Sequence, residues 1–146
     1  MEIEHMAERE IASYIKWIWF KKVKHANNAL KPFGITVAQF HALEYIIESE
    51  GSVTQKDLEK QMDIQHSAVV GIVSRLEKKG YIVTAVSKQD RRQKLLIPTE
   101  IGRETWAILA RDKDAVIAGM TDGFTEDEIR QLEELLMRIY RNLERC

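Results

Sequence analysis

Residues Thr54–Pro98 read TQKDLEKQMDIQHSAVVGIVSRLEKKGYIVTAVSKQDRRQKLLIP, and the change of period along them decides the fold. Thr54 is a helix-capping residue, and Leu58 and Met62 give one apolar edge to a short helix ending near Met62. Asp63-Ile64 supplies a brief turn. From Gln65 to Lys79, Val69, Ile72, Val73 and Leu76 recur at helical spacing and define one buried stripe, which Gly80 stops. The pattern then becomes strand-like in Tyr81–Val86 and Gln93–Ile97, with the polar loop Ser87–Arg92 between them. Pro98 ends the second strand, since it cannot donate to a ladder. A short helix, a tight turn, a second helix and a β-hairpin follow in the order of a winged helix-turn-helix.

The flanks are helical. A first helix is expected over about Glu4–Leu30, where Ile11, Ile15 and Ile18 keep the period of a core face. Tyr14, Trp17, Trp19 and Phe20 fill its other sides, so it needs cover on more than one side, and a second subunit would supply it. Thr36 and Gln39 have capping-box spacing and open a helix with the stripe Phe40, Leu43, Ile46 and Ile47, with Gly51 marking its end. Thr99 caps a long helix reaching about Met120. Thr125 and Glu128 form a second capping box, with Phe124 and Ile129 at the staple positions. Beyond it Ile129, Leu132, Leu136, Ile139 and Leu143 make a two-heptad seam that suits a partner helix or a contact within the chain. The expected fold is mainly α with a small β-hairpin wing. Residues 1–35 and 99–146 form a helical dimerisation region around a winged helix-turn-helix at 36–98.

Charge is distributed to match. The 146-residue chain has a formal net charge of −1, but residues 53–97 carry nine basic and five acidic side chains, a net of +4 between acidic ends. A basic centre laid over the winged helix is the electrostatic footprint of a polyanion partner. On the second helix Gln65, His66, Ser67, Val70, Gly71, Ser74 and Arg75 face outward or flank the buried stripe. They are small or hydrogen-bonding, as close entry into a major groove requires. Lys88, Arg91 and Arg92 at the wing tip suit phosphates or a narrow minor groove. Asp90 would be repelled by DNA unless it orients a neighbouring arginine.

The successive segments Thr54-Gln55-Lys56-Asp57-Leu58, Arg75–Ile82, Asp90-Arg91-Arg92 and Thr99-Glu100-Ile101-Gly102 resemble those of MarR-type transcriptional regulators over essentially the whole chain. The resemblance implies a homodimer that binds a pseudo-palindromic operator in double-stranded DNA, often as a repressor released by a small molecule or an oxidant. By position, Gln65–Ser74 matches the family's recognition helix, Asp90 its wing aspartate and Arg92 its wing arginine, while Thr54, Gln55 and Lys56 open the preceding helix on the DNA side. Val70, Gly71, Thr84 and Pro98 depart from the family's usual residues, although Val70 suits a thymine methyl. Trp17, Phe40, His41, Tyr45 and Trp106 would line a pocket for a small aromatic effector, or simply fill the core.

Other classes lack their signatures. There is no glycine-rich phosphate loop, nucleophile elbow or patterned carboxylate pair, so no enzyme and no cofactor are expected. His5, His25, His41 and His66 lack metal-ligand spacing, and the lone Cys146 ends the chain, away from any resolving thiol. The acidic start Met1-Glu2-Ile3-Glu4 is unlike a secretory signal, and Trp17–Phe20 is too short to span a bilayer, so a cytoplasmic protein with no membrane partner is expected. The alternative to a regulator is a winged-helix adaptor that binds protein and not DNA.

Overall fold

The computed structural model describes the backbone of residues 4–146 and the side chains from Met6 onward. Among these residues six α-helices and three short strands follow one another, with one 3-10 turn, Lys31–Phe33, after the first helix. They are α1 (Glu4–Leu30), α2 (Val37–Glu48), β1 (Val53–Thr54), α3 (Gln55–Met62), α4 (His66–Lys78), β2 (Ile82–Val86), β3 (Lys94–Pro98), α5 (Glu100–Met120) and α6 (Glu126–Glu144). The chain divides into two compact units, one running to Ala110 and the other from Arg111 to Cys146, with the boundary inside α5.

Helix starts follow local chemistry. Thr36 accepts from the Gln39 backbone N–H while the Gln39 side chain accepts from Thr36 N–H, both at 3.2 Å. Thr125 and Glu128 form the same reciprocal pair at α6. α4 ends in a Schellman motif: Gly80 is left-handed at φ 77°, its N–H donates to Glu77 O, and Tyr81 N–H donates to Leu76 O. Glu50, not a glycine, takes the left-handed conformation after α2, so Gly51 does not mark that helix's end.

The sheet has one strand more than the expected hairpin. β1 pairs antiparallel with β3 through Val53–Leu96 and Thr54–Leu95, giving the order β1-β3-β2. Two residues carry no readable alternation, which is why the sequence alone does not reveal β1. Inward-facing Val53, Ile82 and Leu96 carry the sheet onto a core shared with Leu43 and Ile46 of α2, Leu58 of α3 and Val69, Val73 and Leu76 of α4. The outward phase of α4 follows: Val69 is fully buried, whereas Val70 is 44% exposed.

Burial stops short of the chain ends. Ile11, Ile15 and Ile18, expected on a core face, are all exposed, as are Trp17, Trp19 and Phe20. The correction has a simple cause: among the described residues, α1 meets the core cluster at its C-terminal end, where Leu30 is buried in it and Ala29 packs against it. In the second unit α6 has no buried residue, and Leu132, Leu135, Leu136, Met137 and Leu143 are exposed on it.

Candidate nucleic-acid interface

A cleft of about 680 Å³ opens between the first turns of α3 and α4 and the wing, all within the first unit. Thr54, Gln55, Lys56 and Glu59 line it from α3, His66 and Val70 from α4, and Asp90, Arg92, Gln93 and Lys94 from the wing. Seven expected site residues meet there; Glu59, Gln93 and Lys94 were not foreseen. Lys56, Arg92 and Lys94 give the cleft three cations against the carboxylates of Glu59 and Asp90.

Each wall is held locally. Thr54 is both the last residue of β1 and the cap of α3: its hydroxyl accepts from Asp57 N–H, and the Asp57 carboxylate accepts from Thr54 N–H at 2.9 Å. That backbone N–H first, and then the Thr54 hydroxyl, holds the Asp57 carboxyl below the usual carboxylate range. The cap is therefore intact above that range and is lost only as pH falls through the lowered value. Asp63 adopts a left-handed conformation that turns the chain from α3 into α4. Across the turn Glu59 Oε1 accepts a hydrogen bond from His66 Nδ1.

The wing loop is organised by a residue the sequence hid. The Ser87 hydroxyl accepts from Gln89 and Asp90 N–H while its own N–H donates to Gln93 O, which folds the tip back on itself. Asp90 in turn accepts from Arg92 N–H at 3.0 Å and lies 3.5 Å from Arg92 Nε. Arg92 is 94% exposed and Asp90 41%, so the acid sits behind a presented guanidinium. Lys88 and Arg91 are exposed on the same loop, outside the cleft lining.

At the start of α4 and along it, the cap residue Gln65 and Ser67, Gly71 and Arg75 are exposed and Ser74 half-buried, clear of the Val69–Leu76 stripe. A Cβ added at Gly71 would meet nothing within 4 Å. A glycine inside a helix costs about 0.5–1 kcal/mol relative to alanine. Packing within the fold therefore does not require Gly71, and the bare surface it leaves suits close approach of something outside the chain.

The five pocket candidates are dispersed. Phe40 is buried in the core with Tyr45 and Trp106 packed against it. His41 is exposed, its Nδ1 3.4 Å from Glu44 Oε2, and Trp17 is exposed with its ring edge-on to Tyr14. Trp106 Nε1 is buried without a hydrogen-bond partner among the described residues. His66 meets an acid, but among the described residues no three His, Cys, Asp or Glu side chains gather as a metal site would need. The His5 side chain lies outside the described residues. Cys146 is exposed, its thiol 3.4 Å from Asn142 O. Among the described residues no helix is long and apolar enough to cross a membrane.

Residues 33–93, from the turn before α2 to the wing tip, match the MarR family. An HTH-type transcriptional regulator of Bacillus cereus (strain ATCC 10987) is 30% identical over 139 residues, spanning 88% of this chain and 90% of the relative. The chain belongs to the MarR family. Members of the family are transcriptional regulators, not enzymes, and this one has their winged-helix DNA-binding fold. CouR from Rhodococcus jostii RHA1, solved with p-coumaroyl-CoA bound, is 27% identical with a TM-score of 0.71, over 88% of this chain and 90% of that one. MepR from S. aureus in its DNA-binding conformation shares the fold at 24% identity and a TM-score of 0.74, over 91% of this chain and 98% of its own.

Proposed function

We propose that this MarR-family protein is a ligand-responsive repressor that binds a pseudo-palindromic operator as a homodimer. The observation that carries the DNA contact is the cleft. Three cations and the outward face of α4 share one surface, so phosphates and base edges can be met together. Thr54, Gln55 and Lys56 at the first turn of α3 and Lys88, Arg91 and Arg92 on the wing grip the backbone. Gln65, His66, Ser67, Val70, Gly71, Ser74 and Arg75 approach the bases. Recovery of bound fragments from a genomic DNA pool tests this directly and returns operator and neighbouring gene together. Binding that ignores salt would favour a protein-binding adaptor.

The wing gives a sharper test. Arg92→Ala should weaken operator binding and lower the slope of log affinity against log salt by about 0.9, one phosphate-type contact. Asp90→Ala should also weaken binding, although it removes a negative charge, because Arg92 loses both contacts that aim it. Titration of each variant at several salt concentrations measures both effects. Tighter binding by Asp90→Ala would mean that the aspartate only repels DNA.

Residues 1–35 and 99–146 are read as the dimerisation region. Ile11, Trp17, Ile18 and Phe20 on α1, and Leu132, Leu136 and Leu143 on α6, are exposed in the single chain, and exposed apolar patches mark interaction surfaces. Obligate dimers commonly bury about 2,000 Å² or more, mostly apolar. Sedimentation at micromolar concentration should give twice the 17.0 kDa chain mass, and a monomer there refutes the assignment.

For the effector, Tyr45 and Trp106 pack against the core that holds Phe40, and the buried Trp106 N–H, without a partner among the described residues, would suit the acceptor group of a small aromatic molecule. Release of the operator by aromatic acids or their thioesters, assayed one by one, tests this part alone.

A further inference from the structure

The geometry points to Glu59 as a positioning residue that fixes the hydrogen-bonding sense of His66, so that α4 selects a base with a major-groove amino group, cytosine or adenine, at the pair His66 meets. The inference deepens the proposed DNA contact and rests on it. His66 is the first residue of α4, and with Val70, one turn on, it lines the cleft. Its side chain is 72% exposed while that of Glu59 is 25% exposed, so the acid is shielded and the imidazole presented. Among the described residues only Glu59 hydrogen-bonds the ring, at Nδ1.

A carboxylate can only accept, so Nδ1 must carry the hydrogen. In the neutral ring Nε2 is then left with its lone pair and becomes an acceptor at the groove-facing edge. In the major groove cytosine N4 and adenine N6 carry donors, whereas guanine offers O6 and N7 and thymine O4 and a methyl group. An acceptor pairs with the first two and meets only acceptors or carbon on the others. The other charged groups of the cleft have roles of their own. Asp90 is engaged with Arg92, while Lys56, Arg92 and Lys94 are cations suited to phosphates and compete for no donor. A protonated ring would do the reverse, presenting Nε2–H and favouring guanine.

The test uses the full-length protein and the duplex it enriches most strongly from a random-sequence pool, with every base pair of that duplex then replaced in turn. Wild type should prefer cytosine or adenine over guanine and thymine by about five-fold or more at one position, the discrimination a single hydrogen bond supplies. His66→Ala should lose that preference and keep the others. Glu59→Leu should lose it too, with unchanged melting, whereas Glu59→Gln should retain it because the amide oxygen still accepts from Nδ1. A His66-dependent position that prefers guanine or thymine overturns the inference. So does a preference that survives Glu59→Leu, one that fails in Glu59→Gln, or the absence of any His66-dependent position. These failures leave the regulator reading standing. If no duplex is enriched at all, that reading falls first and this inference falls with it.

Discussion

Val70→Asp should abolish specific DNA binding and leave thermal unfolding unchanged, while Val73→Asp, three residues along the same helix, should unfold the domain. Val70 is 44% exposed on the cleft and Val73 is 5% exposed in the core. A carboxylate at position 70 stays solvated in the free protein, where surface changes stay within about 0.5 kcal/mol. Against DNA it would face phosphates and base acceptors. Like charges forced together at an interface cost several kcal/mol, so the loss should be about 100-fold or more. At position 73 the charge has no partner and no water. Leaving a buried charge uncompensated costs about 3–5 kcal/mol, a large part of the roughly 5–15 kcal/mol that holds a domain together. Circular dichroism melts and operator titrations on both variants separate the two effects. If Val70→Asp melts as badly as Val73→Asp, the phase assigned to α4 is wrong and its base-facing residues are wrong with it.

That phase could be read from sequence because four apolar residues recurred at helical spacing over two turns, and the capping boxes at Thr36 and Thr125 could be read because both halves of each lie within four residues. What stayed hidden depended on contacts between elements. β1 exists because Leu95 and Leu96 lie opposite Val53 and Thr54, more than forty positions earlier. Glu59 looks like one more acid on a polar helix face until the left-handed Asp63 turns His66 back toward it. Ser87 looks like one more polar loop residue until the hairpin closes and its hydroxyl collects two N–H groups. The aromatic residues misled for the opposite reason. Their helical spacing was plain in α1, but spacing names a face without saying what covers it, and Trp17 stands exposed, outside the core cluster.

Gly102→Ala should destabilise the protein by about 3 kcal/mol or more, the largest effect expected from a single added methyl group. An added Cβ would press onto the Tyr81 carbonyl group, within 2.9 Å of its carbon and 3.1 Å of the Tyr81 Cα. These are backbone atoms and cannot rotate away. The same carbonyl oxygen accepts from Thr99 N–H at 3.0 Å, while the Thr99 hydroxyl donates to Gly80 O at 2.6 Å and accepts from Gly102 N–H at 3.0 Å. Thr99 and Gly102 thus dock the first turn of α5 on the segment that closes α4 and opens β2. Tyr81 extends the junction, because its hydroxyl donates to Phe33 O ahead of α2. Relieving the clash means lifting α5 and loosening the two hydrogen bonds from Thr99 to Gly80 and Tyr81, each worth about 1 kcal/mol, on top of the strain of overpacking, typically about 1–3 kcal/mol. Gly71→Ala is the matched control: its new Cβ meets nothing, so it should stabilise by about 0.5–1 kcal/mol through reduced chain entropy. Urea unfolding of both variants compares them directly. Opposite signs would show that the helical glycine at 102 is there for packing between elements while the one at 71 is not. Equal stabilities would show that α5 does not rest on Tyr81.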